Sequence, residues 1–134
     1  MFLTLCSKDS LYSHSHYSVF DFTVELGKNY KLNENYTCGI IETYFEVDSE
    51  VSHEIGKHNL FIFCDICESN YVRNSFLPLL RLVSTEEQLY TPLYKPISRY
   101  EFNKIRVYIR DINLDIPIVP VKSFTCTLHF KISQ

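Results

Sequence analysis

The stretch Phe124-Thr125-Cys126-Thr127-Leu128-His129-Phe130-Lys131-Ile132 (FTCTLHFKI, residues 124–132) alternates between apolar and polar side chains without a break. Successive side chains of an extended chain point to opposite sides. Phe124, Cys126, Leu128, Phe130 and Ile132 therefore line one face, and Thr125, Thr127, His129 and Lys131 line the other. A helix would scatter the same residues around its circumference. The stretch reads as a strand with one side in a core.

The same period recurs upstream. Phe20, Phe22, Val24 and Leu26 share a face, and Gly27-Lys28-Asn29 reads as the end of that run. In residues 101–110, Phe102 aside, Ile105, Val107 and Ile109 face inward while Lys104, Arg106, Tyr108 and Arg110 face outward. Residues 36–45 are apolar on both faces, with Gly39 marking a bulge or a close crossing. Residues 59–66 are nearly continuous in apolar side chains, as suits a central strand covered on both sides. Residues 77–83 (with Pro78 near their start), residues 2–5 and a weaker run at 90–97 bring the total to about eight strands. Ser84-Thr85-Glu86-Glu87 has capping-box spacing and predicts one helical turn.

Composition agrees. The 134 residues include ten Tyr, ten Phe and no Ala, so the chain lacks its best helix former and is rich in side chains that suit a pleated surface. Residues 1–134 are expected to form a single domain, an all-β sandwich of two packed antiparallel sheets. The 13 basic residues are mixed with 16 acidic ones, and no Lys/Arg block is dense enough to neutralise several phosphates, which argues against direct nucleic-acid binding. No apolar run reaches the length of a membrane span. The opening MFLTLCSKDS lacks the pattern of an export signal, so the expectation is a reducing compartment, and the sequon Asn35-Tyr36-Thr37 is read as chance. Five cysteines, an odd number, do not make disulfides the default there.

Cys64 and Cys67 form a CxxC pair, but the pair follows a strand pattern, which predicts Cys64 in the core and Cys67 pointing away. Zinc would need two further ligands, and no second such pair exists. Cys38, Cys64 and Cys126 fall on inward phases, as small hydrophobes do. His14 and His16 have the spacing to share a strand face and hold a metal, but their Ser-rich setting reads as an exposed turn. His53 and His58 read as solvated. There is no Gly-x-Ser-x-Gly elbow, no phosphate-cradling glycine loop and no paired carboxylates, so the expectation is no enzyme, no cofactor and no metal. Arg81 and Asp111 each follow a strongly apolar stretch. They are either strand ends reaching solvent or a guanidinium–carboxylate pair fixing loop geometry or a subunit contact.

Certain motifs occur in a telling order: Tyr17 to Leu26 (YSVFDFTVEL), Lys31-Leu32-Asn33, Tyr36 to Glu42 (YTCGIIE), Leu60 to Ile66 (LFIFCDI), Phe76 to Arg81 (FLPLLR), Ile105 to Asp111 (IRVYIRD), Ile116-Pro117, and Thr127 to Phe130 (TLHF). This series resembles the penton, or minor capsid, proteins of Polinton/Maverick elements and their viral relatives, the adintoviruses and adomaviruses. The resemblance spans nearly the whole chain, and its most specific parts are the D-I then P-L-L-R spacing and the closing IRD…TLHF. It departs where the family has Gly after IRD and this chain has Asn113 or Leu114, and where Tyr44 and Phe45 replace an aromatic–proline pair.

The resemblance implies a single jelly roll of about eight antiparallel strands. It also implies a homopentamer at the fivefold vertices of an icosahedral capsid, beside a double-jelly-roll major capsid protein and similar in role to the adenovirus penton base. A fibre or other vertex protein would be an optional partner. The location implied is the virion, after assembly inside the host cell, in the nucleus. Asp65, Pro78, Leu79, Leu80, Arg81, Arg110, Asp111 and Pro117 would be structural motif residues, and no catalytic residues carry over. Loops at 47–58, 69–75, 84–100 and 111–121 are candidate interfaces, with Tyr90, Tyr94 and Tyr100 as candidate anchors. The rival reading is a monomeric β-sandwich recognition domain binding glycan or protein through aromatic loops. Other rivals are a metal enzyme built on His14, His16 and the CxxC pair, and a capsid subunit of another symmetry.

Overall fold

Each alternating stretch forms a strand in the computed structural model, which describes residues 1–11, 19–47, 56–86 and 91–133. In chain order the elements are β1 (Phe2–Cys6), a 3-10 turn (Ser7–Asp9), β2 (Asp21–Lys31), β3 (Tyr36–Val47), β4 (Asn59–Cys64), β5 (Asn70–Val72), β6 (Ser75–Leu77), β7 (Leu79–Ser84), β8 (Tyr94–Pro96), β9 (Glu101–Asp111) and β10 (Val121–Ile132). One sheet has the order β1-β10-β3-β8, the other β2-β9-β4-β7, and β5 and β6 form a small sheet of their own.

Leaving out that small hairpin, the first main strand neighbours the last, the second the seventh, the third the sixth and the fourth the fifth. The chain is thus one long antiparallel ribbon, folded in half at β4–β7 and rolled so that alternate rungs fall in opposite sheets. That is a jelly roll. The winding gathers the loops at two ends. Val47 meets Val121, Asn59 meets Ser84 and Leu60 meets Asp111 at one end; Lys31 meets Glu101 and Thr37 meets Pro96 towards the other.

The core lies between the sheets and follows the period of two. Leu5, Cys38, Ile40, Phe124, Cys126, Leu128 and Phe130 come from one sheet, and Phe22, Val24, Leu60, Ile62, Ile105, Val107 and Ile109 from the other. Phe22 and Phe124 face each other across the layers with ring centroids 6.2 Å apart, and Phe102 and Phe130 do so at 5.9 Å. Each such side chain contributes about 1.5–3 kcal/mol of transfer free energy. Ile132 is the exception on its strand: it keeps the inward phase but is exposed where the sheet ends.

Several elements differ from the expectation. Gly27 does not end its strand. It takes φ +78°, open to glycine without steric cost, and the ladder resumes at Tyr30 opposite Phe102. Phe102, out of phase with Ile105, is therefore also in the core. The run at 77–83 breaks at Pro78, which has no N–H for a ladder; its carbonyl instead accepts from Cys64 N at 3.0 Å. Residues 69–75, read as a loop, begin a hairpin in which Val72 pairs with Ser75. Its two-residue turn, Arg73-Asn74, has φ 46° and 71°, the signs a type I′ turn demands. The weak strand at 90–97 shortens to three residues. Ser84 closes β7 and its Oγ accepts from Glu86 N at 3.3 Å; Glu87, needed for the capping box, lies outside the described residues. No helix among the described residues is long and apolar enough to cross a membrane.

The CxxC reading needs the largest correction. β4 ends at Cys64, and Cys67 N donates to Cys64 O at 3.1 Å, so the chain turns instead of continuing extended. Residues four-in-a-turn bring their outer side chains to one side, and Cys64 and Cys67 are both buried in the inter-sheet core.

Candidate functional site

Four of the motif residues named from the sequence, Asp65, Arg81, Arg110 and Asp111, make side-chain hydrogen bonds to strands and loops. Asp65, just past β4, accepts from Arg99 Nη1 at 2.7 Å and from Arg106 N at 3.0 Å, and its own N–H donates to Arg106 O at 3.1 Å. One carboxylate thus ties the end of β4 to β9 and to the connection after β8. Burial pushes its carboxyl above the usual range, against the pull of these donors. Leu80 is fully buried; the register slips between Ile62 and Phe63, so Leu79 faces Phe63 and the Leu80-Arg81 step carries a bulge.

Arg81 and Asp111 do not pair. Arg81 Nη1 donates to Thr91 O at 2.6 Å, holding the approach to β8. Asp111 turns back on its own loop, its Oδ1 accepting from Asn113 N at 2.8 Å and Asp115 N at 3.0 Å, while Leu114 takes φ 64°. The cause is register. Arg81 stands opposite Ile62 and Asp111 opposite Leu60, on strands that flank β4 from either side. Two inter-strand spacings of about 4.8 Å separate them, plus a stagger of two residues. Arg110 Nη1 donates to Ile109 O at 2.7 Å and Phe20 O at 3.2 Å, pinning the segment before β2. Pro117 is buried in the β9–β10 loop beneath exposed Ile116 and Ile118.

Of the three candidate tyrosines, Tyr90 lies outside the described residues, as do His14, His16 and His53. Tyr100 is exposed at the turn into β9. Tyr94 is committed internally. Phe2, His129, Gly39 and Tyr94 stand at one register level across all four strands of a sheet. Phe2 stacks on His129 at 4.3 Å, and Tyr94 Oη lies 2.7 Å from His129 Nδ1. Tyr94 reaches that far because Gly39 has no side chain: a Cβ there would come within 2.9 Å of Tyr94 Cδ1. The close crossing expected at Gly39 is this ring. Lys131 Nζ sits 3.9 Å from the same ring centre. Desolvation, the neighbouring N-terminal ammonium and Lys131 hold the His129 imidazole below its usual range.

The outer face of the second sheet carries a matching group. Arg106 grips Asp21 through two bonds of 2.9 and 2.7 Å and lies over Tyr108, which stacks on Phe63 at 4.8 Å. Phe63 is fully buried yet outside the inter-sheet cluster, which is why its strand reads as apolar on both faces.

Among the described residues, exposed apolar side chains include Phe2, Tyr44, Leu82, Leu93 and Ile132, and they gather most closely at two places. On the β5–β6 hairpin, Tyr71 and Phe76 form a cross-strand ring pair 5.1 Å apart and are 81% and 64% exposed. In the β9–β10 loop, Ile112, Ile116 and Ile118 are exposed, the last at 97%. The candidate loops 69–75 and 111–121 take in Tyr71 and the isoleucines but not Phe76, so the paired rings were missed. The signal was there: Tyr71-Val72 and Ser75-Phe76 mirror each other about Arg73-Asn74. Among the described residues no three His, Cys, Asp or Glu side chains are grouped to hold a metal, and no buried side-chain polar atom lacks a partner. The chain matches no protein-family profile and no curated protein.

Proposed function

We propose that this chain is a structural capsid subunit, a penton or minor capsid protein that forms homopentamers at icosahedral fivefold vertices beside a double-jelly-roll major capsid protein. It acts by shape and self-association, with no catalytic step, and its place is the virion after assembly inside the host cell. The observation that carries this reading is the strand order of the two main sheets, a jelly roll in which every buried side-chain polar atom among the described residues has a partner. The motif series FCDIC…FLPLLR…IRVYIRD…TLHF supports it, because four of its charged members, Asp65, Arg81, Arg110 and Asp111, each fix a connection between sheets.

The exposed rings of Tyr71 and Phe76 and the isoleucines of the β9–β10 loop are the surfaces suited to subunit contact, since buried aromatic anchors carry most interface energy. A ring uses two different patches of each subunit, a heterologous contact that closes at five. The test is native mass spectrometry and sedimentation of the purified chain, alone and with a double-jelly-roll capsid protein. The expected result is a five-subunit species that the double variant Tyr71→Ser/Phe76→Ser converts to folded monomer. A parent chain that stays monomeric under both conditions refutes the reading and favours the recognition-domain alternative.

A further inference from the structure

The capsid reading leaves four core thiols unused, those of Cys38, Cys64, Cys67 and Cys126. Cys64 and Cys67 bracket a turn closed by the 3.1 Å bond from Cys67 N to Cys64 O. Neither Asp65 nor Ile66 has a positive φ, so the turn is of the type I class, with the curvature of a first helical turn. In such a turn the first and fourth Cα atoms lie within about 7 Å and their side chains leave on the same side. A disulfide asks for Cα atoms about 4.4–6.8 Å apart and converging Cβ vectors. Both side chains enter the same core cluster. Cys38, on the facing sheet, belongs to the same cluster.

We propose that Cys64 and Cys67 are a disulfide site, closed by a hydroperoxide as the oxidant. Cys67 Sγ attacks one peroxide oxygen; the O–O bond breaks, the departing oxygen takes the thiol proton and leaves as alcohol (water, for hydrogen peroxide), and Cys67 becomes a sulfenic acid. Cys64 Sγ then attacks Cys67 Sγ; the S–O bond breaks and water leaves with the Cys64 proton. The protein loses two electrons and two protons, and the peroxide is reduced by the same two electrons. Both thiols are buried and held protonated, so the reaction runs slowly in the closed fold and faster when the turn opens. Opening the turn means releasing the bonds to Ile66 O from Ser98 N at 2.8 Å and Arg99 N at 3.4 Å, to Pro96 O from Glu68 N at 2.9 Å, and to Cys67 O from Ser98 Oγ at 3.2 Å. Once formed, the bond locks the segment that presents Asp65 to Arg99 and Arg106. The inference is independent of pentamer formation.

The test uses the full chain carrying Cys6→Ser, which removes the one half-exposed thiol. Hydrogen peroxide is added in buffer and in urea below the unfolding midpoint, followed by intact mass and peptide mapping, and the oxidised and reduced forms are melted side by side. The expected result is a loss of two hydrogens mapped to Cys64–Cys67, faster in urea, unchanged by Cys38→Ser, with the oxidised form melting several degrees higher. Any CxxC pair can close in an unfolded chain, so the melting comparison decides. An oxidised form that melts at or below the reduced one overturns the proposal, as does a bond mapped to Cys38 or stepwise oxygen addition without a bond.

Discussion

Gly39→Ala tests the close approach of the Tyr94 ring to β3. The added methyl would sit 2.9 Å from Tyr94 Cδ1, 3.1 Å from Tyr94 Cε1 and 3.0 Å from Leu93 O. The ring can swing away, but the carbonyl belongs to the backbone leading into β8, so that three-residue strand must shift as well. Overpacking of this kind costs about 1–3 kcal/mol, and swinging the ring forfeits the Tyr94–His129 bond, worth about 1 kcal/mol. Removing glycine from the unfolded chain returns about 0.4–1 kcal/mol. The net loss is about 1–3 kcal/mol. At about 2.1 cal/mol/K of unfolding entropy per residue, that lowers the melting temperature by roughly 4–11 °C. The assay is thermal and urea unfolding by circular dichroism of the parent, Gly39→Ala, Tyr94→Ala and the double variant. Because ring and methyl compete for one space, Tyr94→Ala should cost less in the Gly39→Ala background than in the parent. A Gly39→Ala chain that melts with the parent, or a Tyr94→Ala cost identical in both backgrounds, refutes the steric reasoning.

Asp111→Ala strips the acceptor from two backbone N–H groups and should destabilise by about 1–3 kcal/mol, with increased hydrogen exchange confined to residues 112–120; Arg81→Ala should leave that exchange pattern unchanged, since the two side chains do not meet. Acidification should act through His129. Its imidazole titrates lower in the fold than in the unfolded chain, so the unfolded state binds the extra proton. The stabilising contribution is complete above the unfolded value of about 6.5 and is lost as pH falls from there towards the lowered folded value. Melting curves from pH 8 to 5 (~ a span bracketing that value) should therefore fall more steeply for the parent than for His129→Gln, and parallel profiles would count against the assignment.

Much of this fold is readable one strand at a time. Phe124, Cys126, Leu128 and Phe130 face the core because alternation puts them on one side wherever the strand sits, and the same holds for Ile105, Val107 and Ile109. The absence of Ala and the abundance of Tyr and Phe carry the class in the same way. These are local properties, set by backbone geometry and side-chain shape.

Partnership is not local, and there the residues mislead. Arg81 and Asp111 look like a pair because both are charges after apolar runs, yet β4 lies between their strands. Cys67 looks outward only if β4 continues; a hydrogen bond three residues long ends it and draws the thiol inside. Tyr94 looks like a free anchor until residue 2, residue 39 and residue 129 fall into one row beside it. Alternation says which side of a strand is apolar; which strands become neighbours follows from winding the whole ribbon, where loop closure and the packing of two faces are settled together.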